Sequence, residues 1–200
     1  MNSQQEVNVL QINQSKVKMA SNILQNKVAK HKIDFVLAKE LRDKKEKLYG
    51  LSQKWNVISS KNNKAAILTT ITSQRIAIIA IKNNTVAIKI QAHQFPITII
   101  SAYNSPYDEI QNTLQEIQDI FTSIPTEHVI MGTDLNGRNT IWGYKDNNTR
   151  GTAILDFILA NNLFIINTQN EPPNFTNNDG RYGWPDLTIC SQNLTSEIKE

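Results

Sequence analysis

Apolar residues along this chain recur with two different periods. In "VNVLQIN" Val7, Val9 and Ile12 alternate with polar neighbours, which predicts a half-buried strand ending at Asn13. Val17, Ala20, Ile23, Leu24 and Val28 return instead at the spacing of one helical face and predict a helix from Val17 to His31. "IDFVLAKE" then reads as a buried strand that delivers Glu40 at its end. "AAILTT" and "IAIIAIKNNTVAIKIQA" give a run of strands, the last two joined across Asn83 and Asn84, a pair able to take the positive φ of a tight hairpin. "FPITIISAYN" is a strand closing on Tyr103 and Asn104, and Ile110, Leu114, Ile117, Ile120 and Phe121 mark a helix over Tyr107–Ile124. The remainder reads as strand "HVIMGTDLN", helix "RGTAILDFILANNL", strand "FIINTQ" and strand "PDLTICS", the last beginning at or after Pro185 because proline has no amide proton for a ladder. Strands and helices mix without strict alternation, which favours mixed sheets covered by helices. No repeat or linker divides the chain, so residues 1–200 read as a single domain.

Composition narrows this only a little. Hydrophobic residues make up 40% of the chain, enough for a substantial core, and a net charge of +3 favours a polyanionic partner only weakly. The single cysteine, Cys190, has no partner for an internal disulfide, and no apolar stretch is long enough to span a bilayer. An intracellular protein with no membrane partner is expected. Asn, Ile and Lys are abundant, so a lone asparagine carries little weight unless its position raises it. "RDKKEKLYG" reads more readily as a solvated surface than as a nucleic-acid patch.

The informative pattern is where polar groups fall. Asn13, Glu40, Tyr103 with Asn104, Asp134 with Asn136, and Asp186 are read as sitting where apolar strands stop. Each has a bland reading: asparagines as turn residues, Glu40 as the first charge of a loop, Tyr103 as a core aromatic with its hydroxyl at the surface, Asp134 and Asn136 as shapers of the turn after Gly132, and Asp186 as a cap at Pro185. Those readings do not explain why all share strand ends. If the strands end at one rim, the groups converge on one cleft. Hard oxygen ligands such as Glu40 suit magnesium with phosphate oxygens. Asp134 would hold or deprotonate water, and Asn136, Asn13 and Tyr103 would donate to phosphate oxygens without adding charge.

These blocks resemble the endonuclease/exonuclease/phosphatase superfamily, which includes deoxyribonuclease I and the apurinic endonucleases. More closely, "LQIN", "IDFVLAKE", "SAYNSP", "VIMGTDLNGRNTIWG", "NNTRGTAILDFILANNLFIINTQNEPPNFT" and "PDLTICS" resemble the endonuclease domains of insect-type non-LTR retrotransposons. The resemblance implies a deoxyribonuclease I-like four-layer α/β sandwich, two mixed sheets flanked by helices, and a phosphodiesterase that uses Mg2+ or Mn2+ to nick DNA beside a reverse transcriptase domain in an intact polyprotein. It implies action in the nucleus. Carried over by motif, Glu40 is the principal metal ligand and Asn13 organises the metal and phosphate end of the site. Tyr103 contacts phosphate, Asp134 and Asn136 position water and phosphate, and Asp186 orients a catalytic histidine. Asn104, Thr149 and Arg150 join as substrate-binding candidates, although Thr149 and Arg150 read equally as the first turn of the helix before Ala153.

The sequence also departs from the family. Its terminal serine-aspartate-histidine motif is absent, so the domain is expected to be incomplete at the C-terminus, with the last strands missing. His31, His93 and His128 have no such context. Loss of a histidine acid or base costs on the order of 10²- to 10⁴-fold in rate, so a weak or inactive endonuclease is expected. "AKELR" stands where the family has glutamine-glutamate-proline, Thr133 where a second glycine is common, and Trp184 and Pro185 where smaller or aliphatic residues are usual. Two other readings stay open: a phosphodiesterase acting on another phosphoester, and a non-catalytic remnant that binds nucleic acid through Lys16, Lys18 and the Lys44–Lys47 region.

Overall fold

Side chains that alternate in direction along strands buried on both faces sort the chain into layers. The computed structural model describes residues 6–13, 19–40, 55–69, 76–92, 95–125, 127–167, 172–176 and 182–199. One sheet contains β1 (Val9–Asn13), β2 (Phe35–Lys39), β3 (Asn56–Ser59) and β4 (Ala65–Thr69) in the order β1-β2-β4-β3. The other contains β5 (Ile76–Ile81), β6 (Thr85–Gln91), β7 (Pro96–Tyr103), β8 (His128–Asp134), β9 (Leu163–Ile165) and β12 (Asp186–Ser191) in the order β5-β6-β7-β8-β12-β9. Between β9 and β12 in sequence, β10 (Phe175–Thr176) and β11 (Tyr182–Gly183) form a short ribbon. The helices are α1 (Met19–His31), α2 (Ile110–Ser123) and α3 (Thr149–Ala160).

Both sheets are mixed. β1 and β2 run parallel, as do β7 and β8, while the other pairs are antiparallel. Parallel neighbours need a crossover, and α1 and α2 supply it. Phe35 and Leu37 of β2 and Ile67 of β4 pack against Val86, Ile88, Ile90 and Ile99 of the second sheet. Their neighbours Val36, Ala38, Ala66 and Leu68 point the other way, onto Leu24 and Val28 of α1. Ala87, Ile100 and Ala102 turn outward to α2 and α3. Helix, sheet, sheet and helices therefore stack as the four-layer α/β sandwich that the resemblance implies. No helix among the described residues is long and apolar enough to cross a membrane.

Some local expectations are corrected. Asn83 and Asn84 do not take the positive φ of a tight hairpin. Their amides instead donate to the Glu116 carboxylate on α2 at 3.1 and 2.9 Å, and Lys82 N donates to Thr85 O at 2.8 Å, so a side chain closes the turn and no left-handed residue is needed. Helix α2 starts at Ile110, because Tyr107 lies in a turn and is 95% exposed. Thr149 and Arg150 belong to the first turn of α3, which Asn148 caps by accepting from Gly151 N at 2.8 Å. Strand β3 and the β10–β11 ribbon carry too little apolar alternation to be read in advance. Residues 14–18, the lysine-rich segment 42–50 and His93 lie outside the described residues.

Candidate active site

Register brings the polar strand ends to one rim. Across the parallel pairs Asn13 stands beside Lys39 and Tyr103 beside Asp134, and across the antiparallel pair Asp186 stands beside Asp134. Side chains two apart share a face of a strand. The inter-sheet face that is apolar at Val9, Phe35, Leu37, Ile99 and Ile130 becomes polar at Gln11, Asn13, Lys39, Ser101, Tyr103 and Asp134 toward the rim. The core between the sheets thus ends in a polar layer.

Hydrogen bonds then tie the two sheets together at that layer. Asn13 Nδ2 donates to Asp134 Oδ2 at 2.9 Å, and the Tyr103 hydroxyl donates to Glu40 Oε1 at 2.9 Å. Gln11 Nε2 donates to Thr133 O at 3.0 Å and to Asp186 Oδ1 at 3.2 Å, while its Oε1 accepts from Thr188 Oγ1 at 3.1 Å. Gly132 makes this closeness feasible: a Cβ there would meet Leu37 Cδ1 at 2.7 Å and Gln11 Oε1 at 2.8 Å. Glu40 and Asn136 both hold positive φ, 52° and 54°, which swings them out of the strand direction over the rim. Asparagine tolerates that conformation, whereas for glutamate it is a strained one, a kind that clusters at functional sites.

A second network stands behind the first. Asn104 is fully buried: its Nδ2 donates to Thr113 Oγ1 at 2.9 Å and Glu109 O at 3.3 Å, and its Oδ1 accepts from Arg150 Nη1. Its backbone N donates to Asp134 O at 2.9 Å, and its backbone O accepts from Asn136 Nδ2 at 3.0 Å. Arg150 also donates to Leu135 O at 3.3 Å, Pro106 O at 3.2 Å and Asp108 O. The structure therefore places Asn104 and Arg150 beneath the rim with their polar groups engaged by protein, and Thr149 on the exposed start of α3. Gly151 explains the "TRG" turn, since a Cβ there would fall 1.9 Å from Arg138 O.

Burial sets the electrostatics. Asp134 is 2% exposed, and burial and the neighbouring Asp186 push its carboxyl up to about 7 against the attraction of Lys39. Burial also pushes Asp186 up, offset in part by Lys39 and the hydrogen bond from Gln11. Lys39 is 0% exposed; burial pulls its ammonium down to about 8 while Asp186 and Asp134 act to hold its charge. Burial and then the Glu40 carboxylate push the Tyr103 phenol up, so it stays a donor. Sequence reading missed Gln11, Lys39 and Thr113 as members of this site. The one visible signal was lysine where the family has glutamine, before Glu40.

The donor set fits a hydrated hard cation. Asp134 Oδ1 is buried with no hydrogen-bond partner, a costly state unless a cation or water meets it. Glu40 Oε2 takes no hydrogen bond among the described residues. No group of three or more His, Cys, Asp or Glu among the described residues forms a protein cage. Magnesium needs none, because it keeps several waters and takes one or two carboxylates with substrate oxygens. Neither described candidate histidine reaches the rim: His31 ends α1, and His128 begins β8, at the opposite end from Asp134, where it stacks on Phe95.

Residues 97–200 match the family described as endonuclease-reverse transcriptase. Among solved structures, the endonuclease domain of TRAS1, a telomere-specific non-LTR retrotransposon, is 25% identical with a TM-score of 0.85, covering 98% of this chain and 90% of that one. An endonuclease/exonuclease/phosphatase family protein from Leptotrichia buccalis C-1013-b is 16% identical with a TM-score of 0.57 over 94% and 88% of the two chains. D. rerio TDP2 complexed with a single-strand DNA product is 12% identical with a TM-score of 0.60 over 94% and 85%. These last two share the fold. No curated protein matches this chain's sequence.

Proposed function

This chain belongs to the endonuclease-reverse transcriptase family, and from that membership and the rim geometry we propose that it is a divalent-metal-dependent endonuclease domain that nicks DNA by hydrolysing one phosphodiester. The observation that carries the reading is the union of two sheets' strand ends: Asn13 on Asp134, Tyr103 on Glu40 and Gln11 on Asp186, all at one rim.

Each side chain then has a task. Glu40, steadied through Oε1 by Tyr103, would hold the cation together with Asp134, which Asn13 orients. The cation, when bound, neutralises charge that builds on the phosphate oxygens. Asp134 Oδ1, unpartnered among the described residues, is placed to take a proton from attacking water. Tyr103, kept protonated, gives its one O–H proton to Glu40, so donation toward phosphate falls to the Asn136 amide, whose other proton Asn104 O holds in place. Asn104 and Arg150 act as positioning residues for that loop, and Asp186, held by Gln11, stands beside Asp134 in register. With neither described candidate histidine at the rim, slow turnover is expected. A reverse transcriptase domain in an intact polyprotein, and a nuclear target, belong to the same proposal.

The test is nicking of supercoiled plasmid by the full chain with Mg2+ or Mn2+. Open-circular product that needs the metal and is lost in Glu40→Ala supports the reading. Equal cleavage by Glu40→Ala overturns the metal assignment. Salt-dependent DNA binding with no cleavage at any metal concentration overturns the nuclease reading in favour of a binding domain.

A further inference from the structure

Lys39 has no part in the mechanism above, yet it lies at its centre. It is the last residue of β2, immediately before Glu40, and its side chain shares the inter-sheet face with Phe35 and Leu37. It is fully buried, and its ammonium has one hydrogen bond, a long one of 3.4 Å to Leu37 O. Among the described residues it makes no direct ion pair, and its charge acts on Asp186 and Asp134 across a gap. Those two carboxylates are register partners on adjacent strands, and Asp134 Oδ1 is unpartnered. A buried ammonium with one long hydrogen bond and a buried carboxyl with an unpartnered oxygen therefore share the inter-sheet layer.

We propose that Lys39 is the resident cation of this site: it balances the Asp134–Asp186 pair without a metal ion, and a divalent ion must enter against its field. Two buried carboxylates side by side repel and are expensive to desolvate unless a positive charge accompanies them. In a site with a neutral residue at this position, the divalent ion supplies that charge. Here the ammonium does so in advance. The acidic cluster can then form in the metal-free protein, and the divalent ion binds more weakly than the carboxylates alone would hold it. The inference rests on Glu40 and Asp134 being cation ligands, as proposed above.

The measurement is calorimetric titration of MnCl2 into the EDTA-stripped full chain at pH 7, for the parent, Lys39→Gln, Lys39→Met and Lys39→Arg. Removing a unit charge several Å from a divalent ion is expected to tighten Mn2+ binding about tenfold or more in the Gln and Met variants. Lys39→Arg should keep the parent Kd. Mn2+ should also raise the thermal midpoint of Lys39→Gln more than that of the parent. Kd values within twofold across all four proteins overturn this inference while leaving the metal site standing. Absence of Mn2+ binding in every protein overturns both. If the Gln and Met variants unfold in EDTA, saturating Mn2+ should restore their folding by supplying the missing positive charge, and failure to do so while the parent stays folded in EDTA and binds Mn2+ overturns the inference.

Discussion

Asp134 makes a quantitative prediction about stability and pH. Its carboxyl rises from 3.8 in the unfolded chain to about 7 in the folded one. A rise of about three pH units, at ~1.4 kcal/mol for each, means that the ionised side chain costs the fold about 4 kcal/mol. Between those two values the folded protein holds a proton that the unfolded chain has released. Stability from this group is thus fully present below pH 3.8, falls by ~1.4 kcal/mol per pH unit as pH rises, and is gone above pH 7. Asp134→Asn removes the titration while keeping a carbonyl oxygen to accept from Asn13 Nδ2, the bond Asp134 Oδ2 takes at 2.9 Å. Urea unfolding of both proteins in EDTA from pH 4.5 to 8.5 tests this. The stability gap in favour of Asp134→Asn should widen by ~1.4 kcal/mol per pH unit up to pH 7 and then level off at about 4 kcal/mol. Asp186 repels Asp134 and titrates at a different pH once that charge is gone, so the comparison is repeated in an Asp186→Asn background, where a slope of the same sign should persist. A gap that stays flat between pH 5 and 7 refutes the argument that burial holds Asp134 neutral.

Three further substitutions test separate parts of the structure. Tyr103→Phe removes the hydroxyl that steadies Glu40; nicking should fall about tenfold while stability changes by less than ~1.5 kcal/mol, and an unchanged nicking rate would remove Tyr103 from the site. Thr113→Val leaves the buried Asn84 and Asn104 amides without the acceptor they share at 2.8 and 2.9 Å, so urea unfolding should show a loss of about 2 kcal/mol or more, given ~1–3 for each orphaned group. Gly151→Ala forces a Cβ against Arg138 O, and a loss of about 1–3 kcal/mol is expected; a neutral result would mean that the "TRG" turn relaxes freely.

What could be read in the sequence was whatever depends on one strand at a time. Alternation located β1, apolar runs located β2, β4, β6, β7, β8 and β12, and the structure meets the condition for Asn13, Glu40, Tyr103, Asp134 and Asp186 to converge, since their parallel and antiparallel strands share one rim. Strand β3 escaped because "NVIS" is four residues long and two of them are exposed, so apolar burial there comes from β4 rather than from its own pattern. The Asn83–Asn84 turn was misread because its amides are satisfied by Glu116, some thirty residues away, and local turn chemistry had no knowledge of α2.

The rim residues that escaped share one physical trait: their role exists only between the sheets. Gln11 looks like the polar member of an alternating strand, which normally faces water. Here both faces of β1 are covered, and Gln11 becomes the strut that joins Thr133, Asp186 and Thr188 to the first sheet. Lys39 ends a run of five buried residues, and a lysine there reads as the point where a strand meets solvent. The second sheet overrides that reading by closing over it and putting Asp134 and Asp186 opposite. A polar residue in line with core positions, immediately before a carboxylate at a strand end, is therefore a candidate for charge balance rather than for solvation whenever a second sheet covers the first. Lys39 is such a residue by its place in register: its ammonium lies in the same inter-sheet layer as Asp134 and Asp186 and offsets part of the penalty that burial puts on their charge.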